Sequence, residues 1–182
     1  MLDKMNVFYI GVDNPVTINS GTGAEKTNAT MSSGSITRTS VPGKYIVRVS
    51  TVGKTTVNVN ADGKNTPFEF RVKEIPDPVF MVGPSKGGRV QSVVFKNQQF
   101  CRADLEKFDF EARFNVVSAA VYFSGANFPS VQTAIINGGN LASISSQMSK
   151  CIPGTSITFD NVKVQGPDGK IRVITGPGFI LY

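Results

Sequence analysis

The stretch FEFRVKEIPDP, from Phe68 to Pro78, decides the organisation of this 182-residue chain. Its first half alternates apolar and charged residues, which is the period of a strand with one buried face and one solvated face. The alternation stops at two prolines, each of which fixes its own φ and lacks a backbone N–H. We therefore predict that an outer strand ends here, and that Pro76, Asp77 and Pro78 form a stiff joint between two domains. A stiff loop inside one larger sandwich is the alternative.

Composition favours an all-β chain, and the joint divides it into two small domains, 1–75 and 76–182. Apolar residues make up 40% of the sequence, which suffices for two packed cores, and 18 Gly and 10 Pro supply many turns. The run Met5–Val12 predicts a strand buried on both faces. A Pro-Gly turn then precedes Tyr45, whose alternating context is typical of immunoglobulin-like sandwiches in which a tyrosine anchors a corner. We predict two immunoglobulin-like β-sandwich domains in tandem.

The second domain is predicted to contain long aromatic strands and one short helix. The alternation is strongest within residues 103–123, where Phe108–Val116 is predicted to be a strand with aromatic residues on one face. Arg89–Phe95 and Phe100 are predicted to give one or two strands as well. The helix is placed near 140–148, because its apolar residues share one helical face and Asn140 is a suitable N-cap.

Two Asp-Gly pairs predict hairpin tips. Asp62-Gly63 lies between alternating runs in the first domain, and Asp168-Gly169 lies between such runs in the second. Glycine readily adopts the positive φ that these turns need. We therefore interpret both aspartates as turn residues and not as ligand sites.

The charge distribution gives no sign of nucleic-acid binding. The net charge is +6, and it is shared evenly: nine basic minus six acidic residues in 1–75, and ten minus seven in 76–182. Nucleic-acid surfaces usually concentrate lysine and arginine on one face. The sequence contains no apolar run of transmembrane length. It begins almost directly with a strand pattern, so we expect it to be part of a longer protein.

The residue types that most enzymes need are missing or scattered. The chain has no histidine, which removes Ser-His-Asp and Cys-His catalysis and the commonest metal ligand. The stretch 21–27 lacks the glycine-lysine pair of a phosphate loop. Asp109 and Glu111, roughly 7 Å apart on one strand face, fit a solvated surface better than a two-carboxylate site. We predict no catalytic activity, no cofactor and no metal.

Cys101 and Cys151 both lie in the second domain. In an oxidising compartment such a pair more often forms a disulfide, whereas in a reducing one it is usually two buried thiols. The spacing does not decide between them, and a disulfide between these cysteines remains open at this point.

Several segments together resemble one known family. They are Met5–Val16, Pro42–Tyr45, Phe70–Pro78, Ala103–Phe114 and the Gly-Pro-Asp-Gly-x-x-Arg motif ending at Arg172. In order and spacing they resemble the C-terminal periplasmic part of the GldM family, called PorM in bacteria that do not glide. The resemblance covers essentially the whole chain.

The resemblance implies a structural role in the periplasm. It implies a longer protein anchored in the inner membrane, where its N-terminal part sits with a partner in a proton-driven motor for type IX secretion and gliding. It also implies a dimeric stalk whose last domains dock to an outer-membrane-associated ring of a lipoprotein and its partner. The alternative is an extracellular β-sandwich module for adhesion or carbohydrate binding, which the absence of tryptophan disfavours.

Overall fold

The computed structural model of the chain describes residues 6–21, 23 and 26–182. The chain divides into two compact units, 1–76 and 77–182. Each sheet among the described residues takes all its strands from one unit, and the architecture is all-β with short helices in the second unit. Two sequence predictions fall partly outside the described residues: Met5 of the first strand, and positions 22, 24 and 25 of the stretch 21–27.

The first unit is an immunoglobulin-like sandwich of two sheets. Its described strands are β1 (Val7–Tyr9), β2 (Asn14–Thr17), β3 (Thr27–Met31), β4 (Ser35–Arg38), β5 (Lys44–Arg48), β6 (Gly53–Ala61) and β7 (Lys64–Lys73). One sheet has the order β1-β7-β6-β3, and the other has the order β2-β5-β4. The first strand pairs in parallel with β7, whereas the other pairs are antiparallel.

The core of the first unit follows the predicted alternation in β5, β6 and β7. It contains Phe8, Ile10, Val47, Val49, Val57, Val59 and Val72. Tyr45 is buried in the same region, and its hydroxyl donates to the Thr27 carbonyl at 3.4 Å. The prediction of a strand from Met5 to Val12 buried on both faces is wrong. The strand β1 covers three residues, and as an edge strand it leaves Val7 and Tyr9 only half-buried.

Asn14 ends that first strand by bonding to three parts of the backbone. Its side-chain oxygen accepts the Tyr9 N–H at 2.8 Å, and its amide donates to the carbonyls of Tyr9, Val12 and Val47 at 2.9, 3.1 and 3.2 Å. The residue is 2% exposed. Because a buried polar group must be hydrogen-bonded, this amide fixes both the turn and the adjoining strand β5.

The Asp62-Gly63 prediction is confirmed as a two-residue hairpin. Strand β6 ends at Ala61, β7 begins at Lys64, and these residues face each other. Asp62 has φ 50° and Gly63 has φ 78°, which are the values of the type I′ turn that matches the twist of a hairpin.

The second unit is built around one large sheet. Its elements are β8 (Val79–Val82), β9 (Gly88–Val90), α1 (Ser92–Lys96), β10 (Cys101–Asp104), β11 (Asn115–Gly125), β12 (Phe128–Asn137), α2 (Ser145–Lys150), β13 (Thr155–Gln165), β14 (Ile171–Ile174) and β15 (Gly178–Leu181). The large sheet has the order β12-β11-β13-β15-β9, with β14 also on β13. Strands β8 and β10 form a separate antiparallel pair.

The predicted strand Phe108–Val116 is wrong over most of its length. Residues 105–113 have no regular structure, and β11 begins only at Asn115. Lys107 has φ 54°, in the left-handed region, and turns the chain after β10. Alternation favours a strand only where a neighbouring strand supplies hydrogen bonds, and none pairs with 105–113. Asp109 and Glu111 therefore do not share a strand face.

The predicted strand Arg89–Phe95 is only partly correct, because α1 replaces its second half. Phe95 is 1% exposed within α1, and its ring lies 5.3 Å from that of Phe179. The helix predicted near 140–148 is present as a 3-10 turn, Ala142–Ile144, followed by α2. Asn140 accepts the Ala142 N–H at 2.8 Å.

Phenylalanine fills the core of the second unit. Of the ten phenylalanines from Phe80 onward, seven are buried: Phe80, Phe95, Phe114, Phe123, Phe128, Phe159 and Phe179. Core packing therefore accounts for most of the phenylalanine content that the sequence left unexplained. Phe100 is the clear exception, at 60% exposed.

Candidate functional site

The connector between β7 and β8 carries the predicted joint. Residues 74–78 have no regular structure, as the two prolines predict. Ile75 and Pro78 are buried, whereas Pro76 and Asp77 are exposed. The two compact units divide between Pro76 and Asp77. The domain boundary that we predict after residue 75 stays a prediction.

Asp77 is held by an arginine that is distant in sequence. Its carboxylate lies 3.4 Å from the Arg172 guanidinium, which belongs to β14. The Arg172 side chain is only 16% exposed, and Asp77 is 66% exposed. The first residue of the second unit is thus paired with a strand of its own large sheet.

Arg172 is itself positioned by two further groups. Its guanidinium lies 3.3 Å from the Asp168 carboxylate, which is 4% exposed, and 5.5 Å from the centre of the Phe114 ring. A guanidinium on an aromatic face gains from the ring quadrupole, and a paired carboxylate tolerates burial. Asp168 and Phe114 therefore form a platform that points Arg172 toward Asp77.

The turn at 166–170 explains why this platform forms. The Gly166 N–H donates to the Lys170 carbonyl at 3.0 Å, and the Asp168 carboxylate accepts the Lys170 N–H at 3.1 Å. A Cβ at Gly166 would lie 2.9 Å from the Asp168 carboxylate and 3.0 Å from the Phe114 ring, so only glycine fits without a shift. The predicted hairpin tip is correct, and its aspartate also serves as a buried structural partner.

Sequence reasoning missed Arg172 as a positioning residue. A signal was present, because Arg172 follows Asp168 by four residues across a turn and returns to the same end of the hairpin. The partner Asp77 could not be found in this way, since 95 residues separate it from Arg172.

The two cysteines are buried free thiols in this structure. Burial raises the pKa of Cys101 to about 12, and burial raises that of Cys151 to about 11 despite the opposing charge of Lys96. Such thiols are protonated at neutral pH and react slowly. The disulfide between them stays a prediction.

Other sites with recognisable chemistry do not emerge from the described residues. Within 6–21, 23 and 26–182, no group of three or more acidic or cysteine side chains could hold a metal ion. A search of the same residues found no helix long and apolar enough to cross a membrane. The first unit has an open groove of about 690 Å³ between β2 and the β6–β7 hairpin, lined partly by Phe68 and Phe70.

The outer face of the large sheet exposes apolar side chains. The exposed fractions are 62% for Val131 and 63% for Ile135 on β12, 58% for Ile171 and 61% for Val173 on β14, and 55% for Ile180 on β15. The opposite face forms the core, with Val121, Ile157 and Phe179 fully buried. This outer face is a candidate contact surface, because isolated apolar residues are common on surfaces but a shared face is not.

Two solved structures show a distant likeness to this chain. The adhesin InvE of Yersinia pseudotuberculosis is 12% identical over 96% of this chain and 56% of its own, with a TM-score of 0.28. InvD of the same organism is 10% identical over 86% and 58%, with a TM-score of 0.22. The chain thus spans less than two thirds of either protein, and these scores carry no conclusion. Comparison with curated proteins gave no match.

Comparison with protein-family models covers nearly the whole chain. The model described as the GldM third domain matches residues 2–73, and the model described as the GldM C-terminal domain matches residues 76–180. The two matches are in tandem, with only residues 74 and 75 between them. The chain therefore belongs to the GldM family and comprises its third and C-terminal domains.

Proposed function

We propose that this chain is the outer end of a periplasmic stalk that docks to an outer-membrane-associated ring and transmits force to it. The GldM family consists of membrane-anchored proteins with periplasmic domains that take part in gliding motility and type IX secretion. The proposed ring partner is a lipoprotein with its associated protein. The proposed stalk is a homodimer, and the remainder of the longer protein contacts the inner-membrane motor partner.

The observation that carries the proposal is the short connector with two prolines between the two matched domains. Asp77 is bound to Arg172, and proline stands on both sides of it. A flexible linker dissipates displacement as chain entropy, whereas a short proline-containing one transmits it. We propose that the chain works by binding and mechanical coupling and not by catalysis.

The docking assignment is tested by removing the second unit in the native longer protein. We expect deletion of residues 77–182 to abolish co-purification with the ring lipoprotein while the inner-membrane motor complex still assembles. A matched control deletes the first unit's Asp62-Gly63 tip only, which should leave ring binding intact. Ring components that still co-purify at wild-type levels with the truncated protein would show that docking lies elsewhere.

A further inference from the structure

Strand β12 is a long unpaired edge of the large sheet. It has ten residues, FPSVQTAIIN, and within 77–182 it pairs with β11 alone. None of these residues is charged. Edge strands are usually protected by charge, proline, bulges or shortness, because free N–H and C=O groups pair readily with another chain. Here Pro129 and the shift in register lie at the beginning of the strand, and the rest is unprotected.

The free hydrogen-bonding groups of β12 belong to the residues with exposed side chains. The Gly138 N–H donates to Val117 at 2.8 Å, which sets the alternation of the ladder. Ile136, Ala134 and Gln132 then bond to β11, and the residues between them direct their N–H and C=O away from it. These outward residues are Val131, Thr133 and Ile135, and within 77–182 no second strand pairs with this side of β12.

The first unit also has a long open edge, formed by residues 64–70 of β7, which β1 does not cover, but this edge is protected. The Arg71 N–H donates to the Asn6 carbonyl, so the odd-numbered residues of β7 direct their backbone N–H and C=O groups away from β6. Pro67 is one of them and has no N–H, and the Glu69 carbonyl already accepts from the Asn6 side chain at 3.3 Å. The first unit therefore protects its long edge among the described residues, whereas the second leaves β12 open.

We propose that β12 pairs antiparallel with β12 of a second copy of this chain, about a two-fold axis at Thr133. The sequence is self-complementary in this register, because β-branched residues stand two positions before and two after the axis. Ile135 of each copy then faces Val131 of the other, and such β-branched cross-strand pairs stabilise a sheet. The contact is isologous and closes on itself, so it yields a dimer and not a fibre. It forms about six main-chain hydrogen bonds.

This inference rests on the homodimer of the proposed function and adds its contact. A single strand pair buries less surface than a standard interface, so modest affinity is expected for the chain alone. In the longer protein, other parts of the dimer would hold the two edges at millimolar effective concentration. The absence of charge on β12 also suits a contact between identical copies, because a charged residue near the two-fold axis would lie close to the same charge on the other copy and repel it.

Charge substitution at the axis provides the first test. In the 182-residue chain, Thr133→Lys and Thr133→Glu each place two like-charged side chains opposite each other across the axis, on Cα atoms about 5.5 Å apart. Each variant should weaken the dimer at least about tenfold in sedimentation, and an equimolar mixture of the two should restore it. Thr158→Lys is the matched control, because Thr158 is exposed on the same sheet but lies in β13, which has neighbours on both sides.

Cross-linking provides a second readout that does not depend on a charged variant folding. Cα atoms about 5.5 Å apart suit a disulfide, so Thr133→Cys should give a covalent dimer under mild oxidation and Thr158→Cys should not. A wild-type chain that stays monomeric to roughly 1 mM would overturn the inference. A dimer that neither charge variant weakens would also overturn it while retaining the homodimer. Ring binding is read separately by co-purification.

Discussion

Replacing Arg172 by methionine should destabilise the second unit by about 2–4 kcal/mol. Methionine keeps an unbranched apolar side chain at this position but removes the guanidinium and its charge. The Asp168 carboxylate, 4% exposed, then loses a charge-assisted bond worth about 1.5–3 kcal/mol. The lost guanidinium–ring contact adds about 0.5–1 kcal/mol. The pair with Asp77 adds little, because that carboxylate is 66% exposed and screened by solvent.

Hydrogen exchange of the full chain measures this loss by unit. Peptides from β13 and β14 report the second unit, and peptides from β6 and β7 report the first. We expect the second unit to lose protection by the stated free energy, with a fall in its melting temperature of about 10 °C or more. The first unit should be unchanged. The control is Arg102→Met, since Arg102 and Asp104 are 53% and 50% exposed and their pair should be worth under about 1 kcal/mol.

A double variant separates the charge from the packing. Asp168→Asn removes the buried charge that Arg172→Met leaves behind, so the combined variant should be more stable than Arg172→Met alone. If Arg172→Met cost no more than Arg102→Met, or if Asp168→Asn gave no recovery, the account of a buried charged platform would be wrong.

Three further predictions concern other parts of the chain. Replacing Pro76 and Pro78 by glycine should leave both units folded but reduce secretion or gliding at unchanged protein level. Replacing both prolines by alanine should have a smaller effect, because alanine is less flexible than glycine. Asn14→Asp should destabilise the first unit by about 2–4 kcal/mol, and more than Asn14→Ala. Both variants lose the bonds to the three carbonyls, but the aspartate also places a buried negative charge against carbonyl oxygens; chemical denaturation measures both. Cys101 and Cys151 should resist alkylation at pH 8 in the native chain and react after unfolding, as mass spectrometry can follow. Because their folded pKa values, about 12 and about 11, exceed the ordinary value of 9.0, their contribution to stability should be complete below pH 9.0 and decline as pH rises toward 12. An intact disulfide in the periplasmic protein would instead leave no thiol to alkylate.

The fold class could be predicted because the signals are local. The connector has two prolines, the Asp62-Gly63 turn needs two positive φ values, and the sandwich strands alternate in period two. The predicted strand Phe108–Val116 had the strongest alternation of all and is mostly irregular. An alternation with a period of two residues indicates only which side chains would share a face if the segment were a strand. Whether a neighbouring strand is present depends on the path of the whole chain.

The connector's anchor shows the same limit. Pro76 and Pro78 identify the joint from sequence, and the hairpin motif identifies the turn that carries Arg172. The contact between Arg172 and Asp77 depends on β14 pairing with β13, which no local pattern states. The free edge of β12 is likewise a property of sheet order and not of its own residues, since β11 has a similar apolar composition but two neighbours.

The connector's anchor and the proposed dimer edge lie in different parts of one sheet. Arg172 is on β14, which pairs with β13, β13 pairs with β11, and β11 pairs with β12. Three strand spacings make at least about 14 Å between Arg172 and Thr133, which is beyond the range where substitutions usually couple. Combining Arg172→Met with Thr133→Lys should therefore give the separate losses in stability and dimer affinity, each unchanged within about 0.5 kcal/mol. A strong interaction between the two variants would mean that the sheet does not hold its two ends independently, and that anchoring the connector also shapes the edge at which the copies meet.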